Sequence, residues 1–139
     1  MRVVIVEDQN EHSDKLITEL RESRSVRTIA HLHRASSAVE MLQDAEQLDL
    51  DRTLIVLDLV LSNNESGFEL LRYLHTRVQA PKELPVIVWT QFGDEVTQTI
   101  CGYFRVPGFI SKKAGENLNV AAVRSAVESY RAQRFGSIN

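Results

Sequence analysis

Glu7, Asp8, Asp58, Thr90 and Lys112 each follow or close a short apolar run: 3-VVIV-6, 54-LIVL-57, 86-VIVW-89 and 107-PGFIS-111. Asp58 sits inside 53-TLIVLDLVLS-62. An unpaired charge there is costly, so Asp58 is expected to end the buried segment and emerge at its rim. Carboxylates gathered on one surface repel and need a cation. Carboxylate, carbonyl and water oxygens suit a hard divalent ion, Mg²⁺ above all. Such a site normally takes a phosphate as a further ligand. Lys112 can pair with one phosphoryl oxygen and Thr90 can donate to another. That leaves Asp58 as a nucleophile able to form an acyl phosphate. The metal and Lys112 would stabilise the charge on the transferring group.

Taken singly, each residue has a plainer reading. An Asp after a strand is commonly a turn former or helix N-cap, Thr90 could cap the next helix, and a lone Lys is commonly solvated. What binds them together is their shared position at strand ends, in chain order.

The elements that must position them are legible from periodicity. The continuous β-branched runs have the length of buried strands and the pattern of a parallel sheet covered on both faces. The weaker 26-VRTIAHL-32 alternates, as an edge strand would. Helical patterns lie between the strands. Ser13, Leu16, Ile17 and Leu20 share a face of 11–23, and Ala35, Ala38, Val39 and Leu42 a face of 34–47. Phe68, Leu71 and Leu74 mark a third helix, and Val96 and Ile100 a poorer fourth. Leu118, Ala121, Ala122, Val123, Ala126, Val127 and Tyr130 mark a long fifth. Five β-α units imply a doubly wound α/β domain with right-handed crossovers. In such a sheet, ligands bind at the carboxyl ends of the strands.

The 139 residues suggest one domain, and 43% apolar residues suffice for a core. A net charge of -3 gives no reason to expect direct nucleic-acid binding, and Arg124, Arg131 and Arg134 read as a solvated helix face. Cys101, the one cysteine, excludes an internal disulfide and fits a reducing compartment. The N-terminal MRVVIVED has no signal-peptide pattern, and no run approaches the ~18 apolar residues of a membrane span. The expectation is a soluble cytoplasmic protein without a membrane partner.

The sequence resembles a response-regulator receiver domain of two-component signal transduction. The resemblance runs from Val3 to about Tyr130 and rests on 4-VIVED-8, 55-IVLDLVL-61, 66-SGFELL-71, 86-VIVWT-90 and 108-GFISKKA-114. It implies a flavodoxin-like receiver fold: a five-stranded parallel sheet in order 2-1-3-4-5 with five helices. The domain would span 1–134, followed by a short tail 135–139 and no output domain. The resemblance makes Asp58 the phosphoacceptor and Glu7 and Asp8 the acidic pair for Mg²⁺. Asp8 would bind directly and Glu7 through water, with the Val60 carbonyl as backbone ligand. Thr90 matches the switch hydroxyl, Lys112 the phosphoryl-contacting lysine and Phe109 the aromatic switch. Phosphorylation would remodel a face made by helix 4, strand 5 and helix 5, where Arg105, Arg124 and Arg131 are candidate contributors to a homodimer. The implied partners are a histidine kinase or histidine phosphotransfer protein, docking on helix 1, and a downstream protein. The domain would be a phosphoacceptor rather than an enzyme, though it takes part in its own phosphorylation and slow dephosphorylation.

Three positions depart from the family's pattern. The loop after Asp58 has Ser62 for a proline and one extra residue, Gln91 replaces a small residue, and Lys113 replaces a common proline. Gln91 is expected to narrow access to the phosphoryl group. A pseudo-receiver, binding proteins independently of phosphorylation, is the main alternative. A haloacid-dehalogenase-like phosphatase would need an Asp at Val60. A flavodoxin-like cofactor binder would need a phosphate loop where Glu7-Asp8-Gln9 stands. His12 is expected to be solvated, and His31, His33 and His75 form no arguable metal site.

Overall fold

The computed structural model describes residues 1–44, 52–61, 66–78, 82–91, 93–113 and 116–135. Strands and helices alternate: β1 (Arg2–Val6), α1 (Asn10–Leu20), β2 (Thr28–Leu32), α2 (Ala35–Asp44), β3 (Thr53–Leu57), α3 (Gly67–Arg77), β4 (Val86–Thr90), α4 (Glu95–Tyr103), β5 (Gly108–Ser111) and α5 (Val120–Phe135). The strands form one parallel sheet in the order β2-β1-β3-β4-β5. This is the expected flavodoxin-like topology. The sequence reverses direction between β1 and β3, so the switch point lies beside the ends of those strands.

The unbroken apolar strands follow from burial on both faces. Val4, Val6, Ile55 and Leu57 point into a core with α2, α3 and Phe104. Val3, Ile5, Leu54 and Val56 point into a second core with α1 and α5. Every residue of β3 and β4 is buried. Each fully buried Val, Leu or Ile contributes roughly 1.5–3 kcal/mol relative to exposure. The edge strand β2 is only partly covered, in keeping with its alternating sequence.

Several details differ from the sequence expectation. The α4 helix exists, but Val96 and Ile100 are exposed at 67% and 37%, and the helix buries Cys101 instead. Its N-cap is Asp94, which accepts from the Thr97 N–H at 2.7 Å, so Thr90 does not cap the helix. Leu118 precedes the fifth helix rather than starting it. Asn117, Leu118 and Asn119 take positive φ values of 51°, 59° and 62°. A left-handed residue costs roughly 1–2 kcal/mol. Two side-chain bonds hold this turn: Trp89 Nε1 donates to the Leu118 carbonyl at 2.7 Å, and Asn119 Nδ2 donates to the Ser111 carbonyl at 3.3 Å. The end of the helix expected over 34–47 and the loop residues 62–65 lie outside the described residues.

The arginines also depart from expectation. Arg124 is partly exposed, and it pairs with Glu19 and Glu22 of the α1 region and with Glu128 one turn on in its own helix. Arg131 lines a cavity at the strand-start edge of the sheet. Arg105, left-handed at φ 60°, reaches His75 of α3 at 3.5 Å.

Candidate functional site

The parallel register carries each chemical residue to the same edge. Val6 pairs with Leu57 across β1 and β3, so Glu7 and Asp58 are the next residues out on adjacent strands. The Asp58 N–H donates to the Val6 carbonyl at 3.0 Å, and the Glu7 N–H to the Leu32 carbonyl at 3.0 Å. On the other side, Thr90 pairs with Ser111, and the Lys112 N–H donates to the Thr90 carbonyl at 2.9 Å. Glu7, Asp58, Thr90 and Lys112 are all buried, and Asp8 is half-buried.

Lys112 is the hub. Its ammonium donates to Glu7 Oε2 at 2.7 Å, to Asp58 Oδ2 at 2.9 Å and to His12 Nδ1 at 2.9 Å. Those contacts use all three N–H groups of an ammonium. The indole ring of Trp89 lies beneath it, 4.5 Å from Nζ to the ring centroid. Truncating either side chain so that no acceptor is left would leave a buried N–H of Lys112 unmet, which is destabilising. The second oxygen of Asp58 accepts from the Val60 N–H at 3.2 Å, so both carboxylate oxygens are oriented.

His12 corrects the expectation of a solvated residue. It is 8% exposed, four residues before the buried Leu16 on the inner face of α1. That i, i+4 spacing was the signal in the sequence that it faces inward. Because Nδ1 meets an ammonium, His12 must present a lone pair there and carry its proton on Nε2. Burial, and then the Lys112 charge, push its pKa below the ordinary value. Glu7 moves the other way: burial first, then the Asp58 charge, raise it to about 7, against the pull of Lys112.

Glu7, Asp8 and Asp58 each offer a carboxylate oxygen, all within 4.8 Å of one another. An all-oxygen donor set of this kind fits a hard divalent cation. Val60 is 50% exposed, and its backbone pairs with Ser66 in an isolated antiparallel bridge. Gly67, within 66-SGFELL-71, proves essential to the geometry: a Cβ there would lie 2.5 Å from the Asp58 carbonyl oxygen. Only glycine lets the start of α3 approach the acceptor's backbone so closely. Phe109 is half-buried against the α3-side core, and Gln91 is exposed. His31 Nε2 contacts the Glu7 carbonyl at 2.7 Å and His33 Nε2 contacts Asn10 Oδ1 at 2.8 Å, which ties β2 to the site's margin.

Residues 3–124 match the sequence profile of the response regulator receiver domain. The chain belongs to that family. Receiver domains are signalling domains of two-component systems rather than conventional enzymes. Solved receiver domains share the fold. One from Rhodospirillum rubrum is 19% identical, covers 94% of this chain and 93% of its own, and superposes with a TM-score of 0.76. The phosphorylated cyanobacterial phytochrome response regulator RcpA is 19% identical, with coverage of 99% and 96% and a TM-score of 0.70. The Mn²⁺-bound form of response regulator Rcp1 is 20% identical, with coverage of 99% and 96% and a TM-score of 0.69. At these identities the likeness speaks to the fold alone. No curated protein matches the chain. Among the described residues of this receiver domain, no helix is long and apolar enough to cross a membrane.

Proposed function

We propose that this domain takes a phosphoryl group from a phosphohistidine partner onto Asp58 with Mg²⁺, and thereby switches a protein-interaction face. The observation that carries the reading is the Lys112 ammonium bridging Glu7 Oε2 and Asp58 Oδ2 at 2.7 and 2.9 Å. It pairs the nucleophile with a cation, beside a second set of acidic oxygens.

Glu7, Asp8, Asp58 and the Val60 carbonyl would hold the ion, which when bound neutralises phosphoryl oxygens and carboxylate repulsion. The Val60 N–H and Lys112 orient the Asp58 carboxylate. One of its oxygens attacks phosphorus as the P–N bond to the donor imidazole breaks. The bonding pair leaves with the imidazole, which takes up a proton, and an acyl phosphate remains on Asp58. Lys112 moves from a carboxylate partner to a phosphoryl oxygen, and the Thr90 hydroxyl donates to another. In this reading Phe109 follows Thr90 inward and changes the face made by α4, β5 and α5. Val96, Ile100 and Tyr103 support an interaction role for α4: they are exposed at 67%, 37% and 71%, at helical spacing on one side.

The donor would be a histidine kinase or histidine phosphotransfer protein docking along α1, and the readout a downstream protein or a second copy. The working unit spans residues 1–134 with 135–139 as a tail, and acts in the cytoplasm. The test is intact mass after incubation with acetyl phosphate and Mg²⁺, for wild type and Asp58→Asn, with and without chelator. A metal-dependent adduct of one phosphoryl group on the wild type alone is expected. No adduct under saturating donor and Mg²⁺ would favour a pseudo-receiver.

A further inference from the structure

His12 lies against the groups proposed to transfer phosphate, yet it is neither the nucleophile nor one of the carboxylates that could hold an ion. Its Nδ1 is 2.9 Å from Lys112 Nζ and 3.8 Å from Glu7 Oε1, so the hydrogen bond is to the ammonium and not to the carboxylate. The imidazole and Trp89 rings are 6.3 Å apart, and Lys112 Nζ lies 4.5 Å from the Trp89 centroid. The ammonium is thus enclosed by two carboxylates, one imidazole and one indole face.

The contact is built into the fold. His12 falls in the first turn of α1, in phase with Leu16 and Leu20, which bury that face in the core. The His12 N–H donates to the Gln9 carbonyl at 3.1 Å, and the Gln9 N–H donates to Glu7 Oε1 at 3.1 Å. One short segment, 7–12, therefore holds the ammonium at two points, through the Glu7 carboxylate and through the His12 ring.

The three acceptors of this ammonium differ in what the transfer asks of them. An oxygen of Asp58 is used in the new bond to phosphorus. Glu7 belongs to the acidic set proposed for Mg²⁺, so its oxygens are shared with the ion site. His12 alone has no second task. A lysine chain is flexible and its donors rotate freely, so an ammonium loosened from both carboxylates needs one fixed acceptor to stay aimed.

We propose that His12 is a positioning residue for phosphoryl transfer: its Nδ1 lone pair holds the Lys112 ammonium, which turns about this contact from Asp58 to the incoming phosphoryl oxygen. The proposal rests on the reading of Asp58 as a phosphoacceptor.

The test follows labelling of the full chain by acetyl phosphate in saturating Mg²⁺, read by intact mass at about pH 8, where an imidazole is neutral. In that reaction an Asp58 oxygen attacks phosphorus as the P–O bond to acetate breaks, and acetate leaves with the bonding pair. His12→Leu fills the buried volume without an acceptor and should slow transfer about tenfold at saturating donor. The half-saturating donor concentration should move less than about twofold, because the contact acts in the transition state and not on donor binding. His12→Asn, whose amide oxygen can take the place of Nδ1, should recover most of the rate. A role in packing alone predicts the reverse order, since Leu is the more apolar residue and the better helix former. Calorimetric titration with Mg²⁺ alone should give the same affinity for all three proteins. The proposal is overturned if His12→Leu matches the wild type, if His12→Asn is as slow as His12→Leu, or if Mg²⁺ affinity falls in step with the rate. A wild type that takes no adduct overturns the phosphoacceptor reading as well, whereas equal rates on labelled proteins overturn this proposal alone. Circular dichroism melting checks each fold. If His12→Leu does not fold, His12→Ala against His12→Asn decides the same question.

Discussion

His12 Nδ1 accepts from Lys112 Nζ at 2.9 Å, in a site where the other two ammonium protons go to Glu7 and Asp58. The imidazole thus sets the position of the lysine from the first turn of α1, the helix proposed to receive the phosphodonor. His12→Ala should leave one buried N–H of Lys112 unmet and cost about 1–3 kcal/mol in urea unfolding. His12→Gln, which can offer an acceptor, should recover part of that loss. Equal stabilities for the Ala variant and the wild type would show that the contact contributes nothing.

The same geometry fixes the sign of a pH effect. The His12 pKa lies below its ordinary 6.5 in the folded state. The unfolded chain therefore takes up that proton first, and stability falls as pH drops below about 6.5. An NMR titration of the His12 ring should show a neutral Nε2-H tautomer persisting below that pH. A ring that protonates at the same pH as a free histidine would sink this assignment.

Glu7 contributes with the opposite sign. Its pKa rises from 4.5 to about 7 on folding. In the metal-free protein the folded state then holds this proton more tightly, so stability falls as pH rises from 4.5 to 7 and levels off above. A shift of that size is on the order of 3 kcal/mol. Glu7→Gln removes the titration but keeps an acceptor for Lys112. Without metal, the variant should be more stable than wild type near pH 7, with the difference closing towards pH 4.5. With Mg²⁺ present, the wild type should regain ground that the variant does not. A pH-independent difference between the two proteins would refute the raised pKa.

Much of this site was legible in the sequence because a parallel sheet leaves little freedom. Apolar runs buried on both faces must be strands, and the polar residue that ends each one must emerge at the same edge. Asp58, Thr90 and Lys112 therefore fall together on the strength of the sequence alone. What escaped was anything decided by packing between elements. Val96 and Ile100 have helical spacing, yet nothing in their own segment says that α4 turns Cys101 inward in their place. His12 reads as solvated because histidine suits either environment; its phase with Leu16 and Leu20 is the better guide. Leu118 continues an apolar pattern into α5, and only Trp89, distant in sequence, pins it in a left-handed turn.

Gly67 is predicted to be intolerant of any side chain. A Cβ would meet the Asp58 carbonyl oxygen at 2.5 Å and Leu59 Cα at 3.0 Å, both backbone atoms that cannot swing aside. Gly67→Ala should push α3 away from the acceptor strand at a cost of about 1–3 kcal/mol. It should also slow phosphorylation of Asp58, because Val60, which holds Asp58 Oδ1, is bridged to Ser66 next door. Urea melts and acetyl-phosphate time courses would check both effects. A variant with native stability and rate would mean that the backbone yields more easily than this close approach implies.

Trp89 offers a direct optical readout of the switch. It is the single tryptophan of the chain, and the Lys112 ammonium lies 4.5 Å from its ring centroid. A charge this close to the indole affects its emission, so conversion of Asp58 to an acyl phosphate, with Lys112 drawn to the phosphoryl group, should shift or quench the fluorescence. The ring also reaches the far side of the site, because its Nε1 donates to the Leu118 carbonyl at the entrance to α5. Movement of Lys112 should therefore loosen or tighten the turn at 117–119, seen as altered hydrogen exchange at the start of α5. Trp89→Phe would remove the donor, cost about 1 kcal/mol, and uncouple that exchange from phosphorylation. If intact mass confirms the adduct while emission and exchange both stay unchanged, Lys112 does not carry the signal through Trp89.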